Sequence, residues 1–197
     1  MTLAIQKIID SRVVIAVTPM IDDCEVILKE GDSHSIIKEL RITGVPDGSF
    51  AFTLDFNDVN NKKGRPSRLF RQLSSYVSSS NGDGVNKSCD LVIITPEKNK
   101  DEFNLKVVVL DLKSERSGSR GECQVENSVL FINYLLSLAK YHYSEKHDEI
   151  TFFKRLITTS AVKNAIGRKG RDQSLVHKIS VRVNNEKSNV DYHRLIV

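Results

Sequence analysis

Residues 105–113 read LKVVVLDLK, an apolar run that ends in an acidic residue, a leucine and a lysine. A short, valine-rich run bounded by charged residues predicts a buried β-strand. A second apolar run, 91–94, begins directly after Asp90, and the charged stretch between the two runs indicates an antiparallel hairpin with a longer loop. In that pairing Asp90, at the start of one strand, lies near Asp111, at the end of its partner.

The segments upstream of the hairpin are read as mostly sheet. Strand patterns cover 13–17, 25–28 and 50–56, whereas 35–40 has the pattern of a short helix and 66–80 that of an amphipathic helix. The strand at 50–56 is predicted because its large apolar residues alternate with smaller or polar ones.

Downstream, Ser119-x-x-Glu122 has the form of a capping box and opens a long helix to about Tyr141. Its apolar residues fall in two stripes, which predicts burial on most sides. Strand patterns return at 151–159, 176–183 and 192–197. The sequence therefore predicts a mixed α/β fold with a central sheet flanked by helices, in a single domain over residues 1–197.

Composition restricts the class of protein. A chain of 197 residues that is 40% hydrophobic buries one substantial core. No run approaches the roughly 18 apolar residues of a membrane span, and residues 1–10 carry charges where a secretory signal would be apolar. The three cysteines form no CxxC pair, which argues against a disulfide framework or a cysteine zinc site. We expect a cytoplasmic protein without membrane association.

Positive charge is concentrated in the C-terminal part, 151–197, where ten Lys/Arg face three Asp/Glu. Within it lies a basic segment whose Arg168, Lys169 and Arg171 could follow a nucleic-acid backbone. Such asymmetry favours a polyanionic partner, although a solvated basic face with no partner has the same composition.

The acidic residues and the lysine of the hairpin suit phosphodiester hydrolysis, which needs a cation and a positioned water. Asp90 and Asp111, helped by the carbonyl of Leu112, have the oxygen ligands that Mg²⁺ prefers, and Mn²⁺ could substitute. Lys113 lies two residues after Asp111 and therefore points to the same face of the strand, where it could orient or deprotonate the attacking water.

The motif is too short to be informative by itself, and its position in the sequence is what makes it a candidate site. The sequence contains one acid-x-Lys match, and it ends a strand with no charge between Lys106 and Asp111. The alternative interpretation is a strand-end ion pair on a solvated edge, since such pairs are common and contribute little.

Together these residues resemble the PD-(D/E)XK nuclease superfamily, to which many restriction endonucleases belong. The resemblance covers residues 66–141 and rests on Lys87-Ser88-Cys89-Asp90, the strand 107–110, Asp111-Leu112-Lys113 and Gln124. It implies a restriction endonuclease-like fold and a metal-dependent nuclease. It assigns Asp90 and Asp111 to the two acidic positions and Lys113 to the lysine.

The resemblance also places Gln124 at a glutamine often found on the following helix. An ordinary polar residue in a first helical turn is the other interpretation of Gln124. Asn127 shares its side of the helix, and either side chain could contact a phosphate or the motif lysine. The chain departs from the family pattern at Cys89, where the family name has proline, and in the absence of acidic residues from 66–80.

We therefore expect a Mg²⁺-dependent endonuclease that acts on DNA. The resemblance makes antiviral defence or restriction a plausible setting, with activation by a partner ATPase or helicase, and it leaves a homodimer open. A non-catalytic nucleic-acid-binding or protein-interaction module with the same fold is the alternative. No separate recognition domain is visible, which favours non-specific or partner-directed cleavage.

Overall fold

A computed structural model of the protein describes residues 3–31, 35–55, 84–99, 102–113, 119–144, 146–159 and 176–197. These residues form an α/β fold with two mixed β-sheets and one α-helix. The strands are β1 (Val14–Ile15), β2 (Val17–Pro19), β3 (Cys24–Lys29), β4 (Glu39–Val45), β5 (Phe50–Phe52), β6 (Leu91–Asn99), β7 (Glu102–Lys113), β8 (Ile150–Thr158), β9 (His177–Ser180) and β10 (Lys187–Asp191), and the helix is α1 (Ser119–Tyr143).

The larger sheet has six strands in the order β1-β5-β6-β7-β8-β9. Neighbouring strands are antiparallel from β1 to β7 and parallel from β7 to β9. The predicted hairpin is β6 and β7, with Leu91 opposite Leu110. The prediction of a longer loop is wrong, because the ladder continues through the charged residues, and Lys106 forms a cross-strand ion pair of 2.8 Å with Glu97.

The two faces of β7 pack against different layers, which explains its continuous apolar sequence. Val107 and Val109 belong to the core shared with α1, whereas Val108 and Leu110 belong to the core shared with the second sheet. A strand that is buried on both faces shows no apolar–polar alternation.

The second sheet has four strands in the order β10-β4-β3-β2. It covers the face of the large sheet opposite α1. The mixed α/β class is thus confirmed, but in the described part of the chain a sheet, and not a helix, covers this second face. The predicted helix at 66–80 lies outside the described residues.

The long helix is confirmed as α1, but its predicted burial on most sides is wrong. One face is buried, with Val125, Val129 and Ile132 in the core. The opposite face is open, and Leu130 and Tyr134 are exposed. The helix lies in an outer layer, so only the stripe that faces the sheet is covered. No helix in the described part of the chain is long and apolar enough to cross a membrane.

Several boundaries differ from the sequence predictions. The helix expected at 35–40 is wrong, because strand β4 begins at Glu39 and no helix is assigned at 35–38. The strand expected at 192–197 is wrong too, because Tyr192–Leu195 forms a 3-10 helix. The carboxylate of Asp191 accepts the backbone N–H of His193 at 2.8 Å and starts that turn. Of the strand expected at 50–56, the described residues 50–55 contain only β5.

Candidate active site

The two predicted acidic residues lie at the same end of the β6–β7 hairpin. The backbone N–H of Asp90 donates to the carbonyl of Leu110 at 3.1 Å, just before the first residue of β6. The side chain of Asp90 makes the next hydrogen bond to β7, because its Oδ2 accepts the N–H of Leu112 at 2.6 Å. Asp90 is therefore fixed beside the last residues of β7.

The carbonyl of Leu112 faces the same edge of β7 as Asp90. In an extended strand the N–H and C=O of one residue point to the same side. Because the N–H of Leu112 is bonded to Asp90, its carbonyl is also directed away from β8. Leu112 thus places a backbone oxygen on the edge where Asp90 lies.

Asp111 is a fully buried carboxylate on the α1 side of the large sheet, with 0% exposure. Lys113 shares this face, and its Nζ lies 2.6 Å from Asp111 Oδ2. That contact is an ion pair, and in the described part of the chain no donor reaches either oxygen of Asp111 with good hydrogen-bond geometry, although the side chains of Lys113 and Asp90 are close enough to lower its pKa. A single ion pair offsets only part of the cost of burying a carboxylate, so Asp111 is not explained as a stabilising core residue.

Burial raises the pKa of Asp111 to about 6, against the opposing effect of the Lys113 ammonium. Burial also raises the pKa of Asp90 well above its usual range, and the negative charge of Asp111 adds to the increase. Two carboxylates that repel each other in a poorly solvated place attract a proton or a cation. The pair therefore gains from any positive charge that binds to it.

Two further acidic residues contribute to this negative field. Asp55 raises the pKa of Asp111, and Glu30 raises the pKa of Asp90. Sequence reasoning missed both, although Asp55 closely follows β5, which pairs with β6. No three Asp, Glu, His or Cys side chains in the described ranges are grouped closely enough to hold a metal ion by themselves. The protein oxygens suited to a cation here are those of Asp90, Asp111 and Leu112.

The first turn of α1 approaches the site closely at Gly121. A Cβ at this position would lie 3.1 Å from Lys113 Cε, 3.4 Å from Asp111 Oδ2 and 3.0 Å from Leu156 Cδ2. Glycine is disfavoured inside helices, so its presence here follows from the need for space. The signal in the sequence was a glycine just after the start of the predicted helix.

Polar side chains of α1 fix the segment that leads to Asp90. The amide of Gln124 donates to the carbonyl of Ser88 at 3.2 Å, and the hydroxyl of Ser128 accepts the N–H of Cys89 at 2.8 Å. Asn127 donates to the carbonyl of Gly84 at 3.0 Å. Gln124 and Asn127 thus hold backbone near Asp90, and neither donates to Lys113 or Asp111.

Cys89, which stands where the family name has proline, is a buried structural residue. Burial raises the pKa of its thiol to about 12, and its Sγ lies 3.6 Å from the carbonyl of Leu91. A thiol held neutral in this way is no nucleophile. The predicted nucleic-acid-binding residues Arg168, Lys169 and Arg171 lie outside the described residues.

Comparisons with protein-family models, with curated proteins and with solved structures find no match to this chain.

Proposed function

We propose that this protein is a metal-dependent nuclease that hydrolyses phosphodiester bonds in DNA through Asp90, Asp111 and Lys113. The observation that carries the proposal is Asp111, which is fully buried and has no hydrogen bond to either oxygen among the described residues. A carboxylate in a purely structural role is normally satisfied by donors. Asp111 is instead paired with a single ammonium, that of Lys113, and lies beside a second carboxylate, so an added cation would stabilise it.

The residues at this end of the hairpin fit a hard cation. Asp90 and Asp111 would hold it, together with the carbonyl of Leu112, and Gly121 leaves space beside the carboxylate of Asp111. When bound, Mg²⁺, or Mn²⁺ in its place, supplies positive charge that stabilises the reacting phosphate and favours ionisation of water. Few protein ligands and several waters are typical of Mg²⁺ sites.

Lys113 links the buried carboxylates to solvent. Its Nζ contacts Asp111, but 27% of its side chain remains exposed. Its ammonium is therefore accessible to a phosphate or a water at the surface of the site. In the proposed reaction Lys113 orients the attacking water and offsets negative charge that develops on the phosphate.

The order of elements supports a restriction endonuclease-like fold as part of the proposal. Asp90 precedes β6, the hairpin leads into Asp111 and Lys113 on β7, and α1 follows and covers them. This is the order on which the resemblance was based. Activation by an ATPase or helicase, a role in antiviral defence, homodimer formation and a cytoplasmic location stay predictions.

Cleavage of plasmid and single-stranded DNA tests the proposal, with Mg²⁺, Mn²⁺ or EDTA present. The variants are Asp111→Asn and Lys113→Ala, and the matched control is Lys106→Ala. Lys106 lies on the same strand, forms an ion pair of 2.8 Å and has a side-chain exposure of 29%. We expect metal-dependent cleavage that falls at least about 100-fold in the first two variants and persists in the control.

Two results would contradict the proposal. Equal cleavage by wild type and Lys113→Ala would show that the activity does not arise at this site. DNA binding without cleavage under any metal condition would instead favour the non-catalytic binding module.

A further inference from the structure

A second polar site lies at the edge of the four-stranded sheet, where β10 and β4 meet the chain that follows β9. It is an open cavity of about 780 Å³, which we call the cationic cavity. The charged residues that line it are Glu39, Arg41, Arg182, Lys187 and Arg194. Four of these five are cationic, so the cavity attracts anions.

Two of the four cations are available for a ligand. Arg41 pairs with Glu25 at 3.2 Å, and Lys187 pairs with Glu39 at 3.5 Å. The guanidinium groups of Arg182 and Arg194 are exposed and have no ion pair or hydrogen bond within the described part of the chain. Free guanidinium groups bind phosphate through paired N–H donors.

The uncharged lining also favours phosphate over a base. It consists mainly of asparagine and serine side chains, which donate hydrogen bonds. None of the described residues that line the cavity is aromatic, so they offer no platform on which a base could stack. The ligand recognised by this chemistry is a phosphate-bearing backbone.

The cavity is linked to the candidate active site through the large sheet, but the two lie on different faces of the molecule. Lys113 pairs with Thr158 across the parallel β7–β8 ladder, and Thr158 pairs with Ser180, which lines the cavity. Arg41 and Lys187 alternate with residues of the core between the sheets, so they lie on the outer face of the four-stranded sheet. Lys113 lies on the α1 face of the large sheet. A nucleic acid that passes around the edge of the sheets contacts both places.

We propose that the cationic cavity binds the phosphate backbone of the nucleic acid that is cleaved at the Asp90–Asp111 site. This inference rests on the proposed function, because it assigns the cavity to the same nucleic acid. Arg182 and Arg194 hold phosphates on one side of the reacting bond, and this contact positions the strand without reading its sequence.

The test measures binding apart from cleavage, by fluorescence anisotropy of a labelled single-stranded DNA in EDTA at several salt concentrations. The variant is Arg182→Gln/Arg194→Gln. The control is Lys140→Gln/Lys146→Gln, which removes the same charge from exposed positions at and after the other end of α1. A third variant, Arg182→Lys/Arg194→Lys, keeps the charge. Circular dichroism establishes that all of them fold.

We expect the arginine-to-glutamine variant to bind on the order of 10-fold more weakly at 0.1 M salt. Its salt dependence should flatten by about 1.4 in logarithmic slope, the value for two lost phosphate contacts on a single strand. The lysine variant should retain most of the affinity, and the control should match wild type.

Equal losses in the glutamine variant and the control would overturn the proposal, as would wild-type affinity in the glutamine variant. Wild type that binds inorganic phosphate but no DNA would overturn it as well, and would assign the cavity to a small phosphorylated ligand. A selective loss of DNA binding in a protein that cleaves nothing with Mg²⁺ would support the cavity and refute the nuclease. Cleavage by wild type with Mg²⁺, together with unchanged DNA binding in the glutamine variant, would support the nuclease and refute the role of the cavity.

Discussion

The Asp90–Asp111 site and the cationic cavity hold opposite charges in opposite surroundings. Asp111 is fully buried, and its pKa is raised to about 6 because burial penalises its charge. Arg182 and Arg194 are exposed, so their charges remain solvated. We therefore expect the carboxylate site to reduce the stability of the fold and the cavity to leave it almost unaffected. This difference in burial agrees with the two proposals, catalysis at the carboxylate site and binding at the cavity.

The largest expected effect separates catalysis from binding. Asp111→Asn should lower kcat about 1000-fold, because it removes a charge that holds the cation and the water. Its affinity for DNA in EDTA should equal that of wild type. Arg182→Gln/Arg194→Gln should raise KM and leave kcat at saturating DNA within about threefold. Steady-state cleavage of a labelled oligonucleotide measures both constants. A fall in kcat in both variants would show that the two regions do not separate catalysis from binding.

Stability should respond to pH through Asp111 and not through the cavity. The pKa of Asp111 is about 6 in the folded protein and about 3.8 as a free group, so the folded state binds the proton more tightly. Metal-free wild type should lose stability as the pH rises from about 4 to above 6. Asp111→Asn should be more stable than wild type by about 2 to 3 kcal/mol at pH 8, with the difference vanishing near pH 4.

Urea unfolding in EDTA at several pH values measures this difference. Arg182→Gln is the control, and we expect its unfolding free energy to stay within about 0.5 kcal/mol of wild type. An Asp111→Asn protein that is less stable than wild type at pH 8 would show that the carboxylate stabilises the fold. The contrast between the two regions would then disappear.

A smaller effect is expected at Gly121, where α1 meets Lys113. Gly121→Ala gains about 1 kcal/mol of helix propensity but must displace Lys113 Cε, which would lie 3.1 Å from the new Cβ. Stability should change by less than about 1 kcal/mol, while cleavage should fall about tenfold because Lys113 is misplaced. Cys123→Ala, at an exposed position two residues later, should leave both unchanged. Unaltered cleavage in Gly121→Ala would mean that Lys113 tolerates displacement.

The smallest expected effect is at Gln124, which the resemblance to the nuclease superfamily places among the site residues. Gln124→Ala removes one hydrogen bond to the carbonyl of Ser88 and should cost about 1 kcal/mol of unfolding free energy. Cleavage should fall less than tenfold, as in Asn127→Ala, which removes a similar contact to Gly84. Loss of cleavage in Gln124→Ala alone, at unchanged stability, would place Gln124 among the reacting groups.

The features that the sequence could predict are those that depend on residues close together in the chain. The alternation of β7 places Lys113 on the face of Asp111, and antiparallel pairing brings Asp90 beside it, so both follow from local pattern. The parallel pairing of β10 with β4 joins residues such as Lys187 and Glu39, which are far apart in the chain. No local pattern indicates such a pair.

The missed site features have the same origin. Gly121 matters only because α1 packs on β7, and Asp55 and Glu30 act on the site across tertiary contacts. The cationic cavity gathers residues from β4, β10 and the chain after β9. The sequence predicted a basic C-terminal part, but only the fold shows that Arg182 and Arg194, among its described residues, meet at one cavity.

The row of Lys113, Thr158 and Ser180 has a consequence for the products of the proposed reaction. These residues belong to one hydrogen-bonded sheet, so the spacing between them cannot change unless ladder hydrogen bonds break. A nucleic acid that occupies the cavity and the active site together would therefore be cut at a position set by the fold, independent of base sequence.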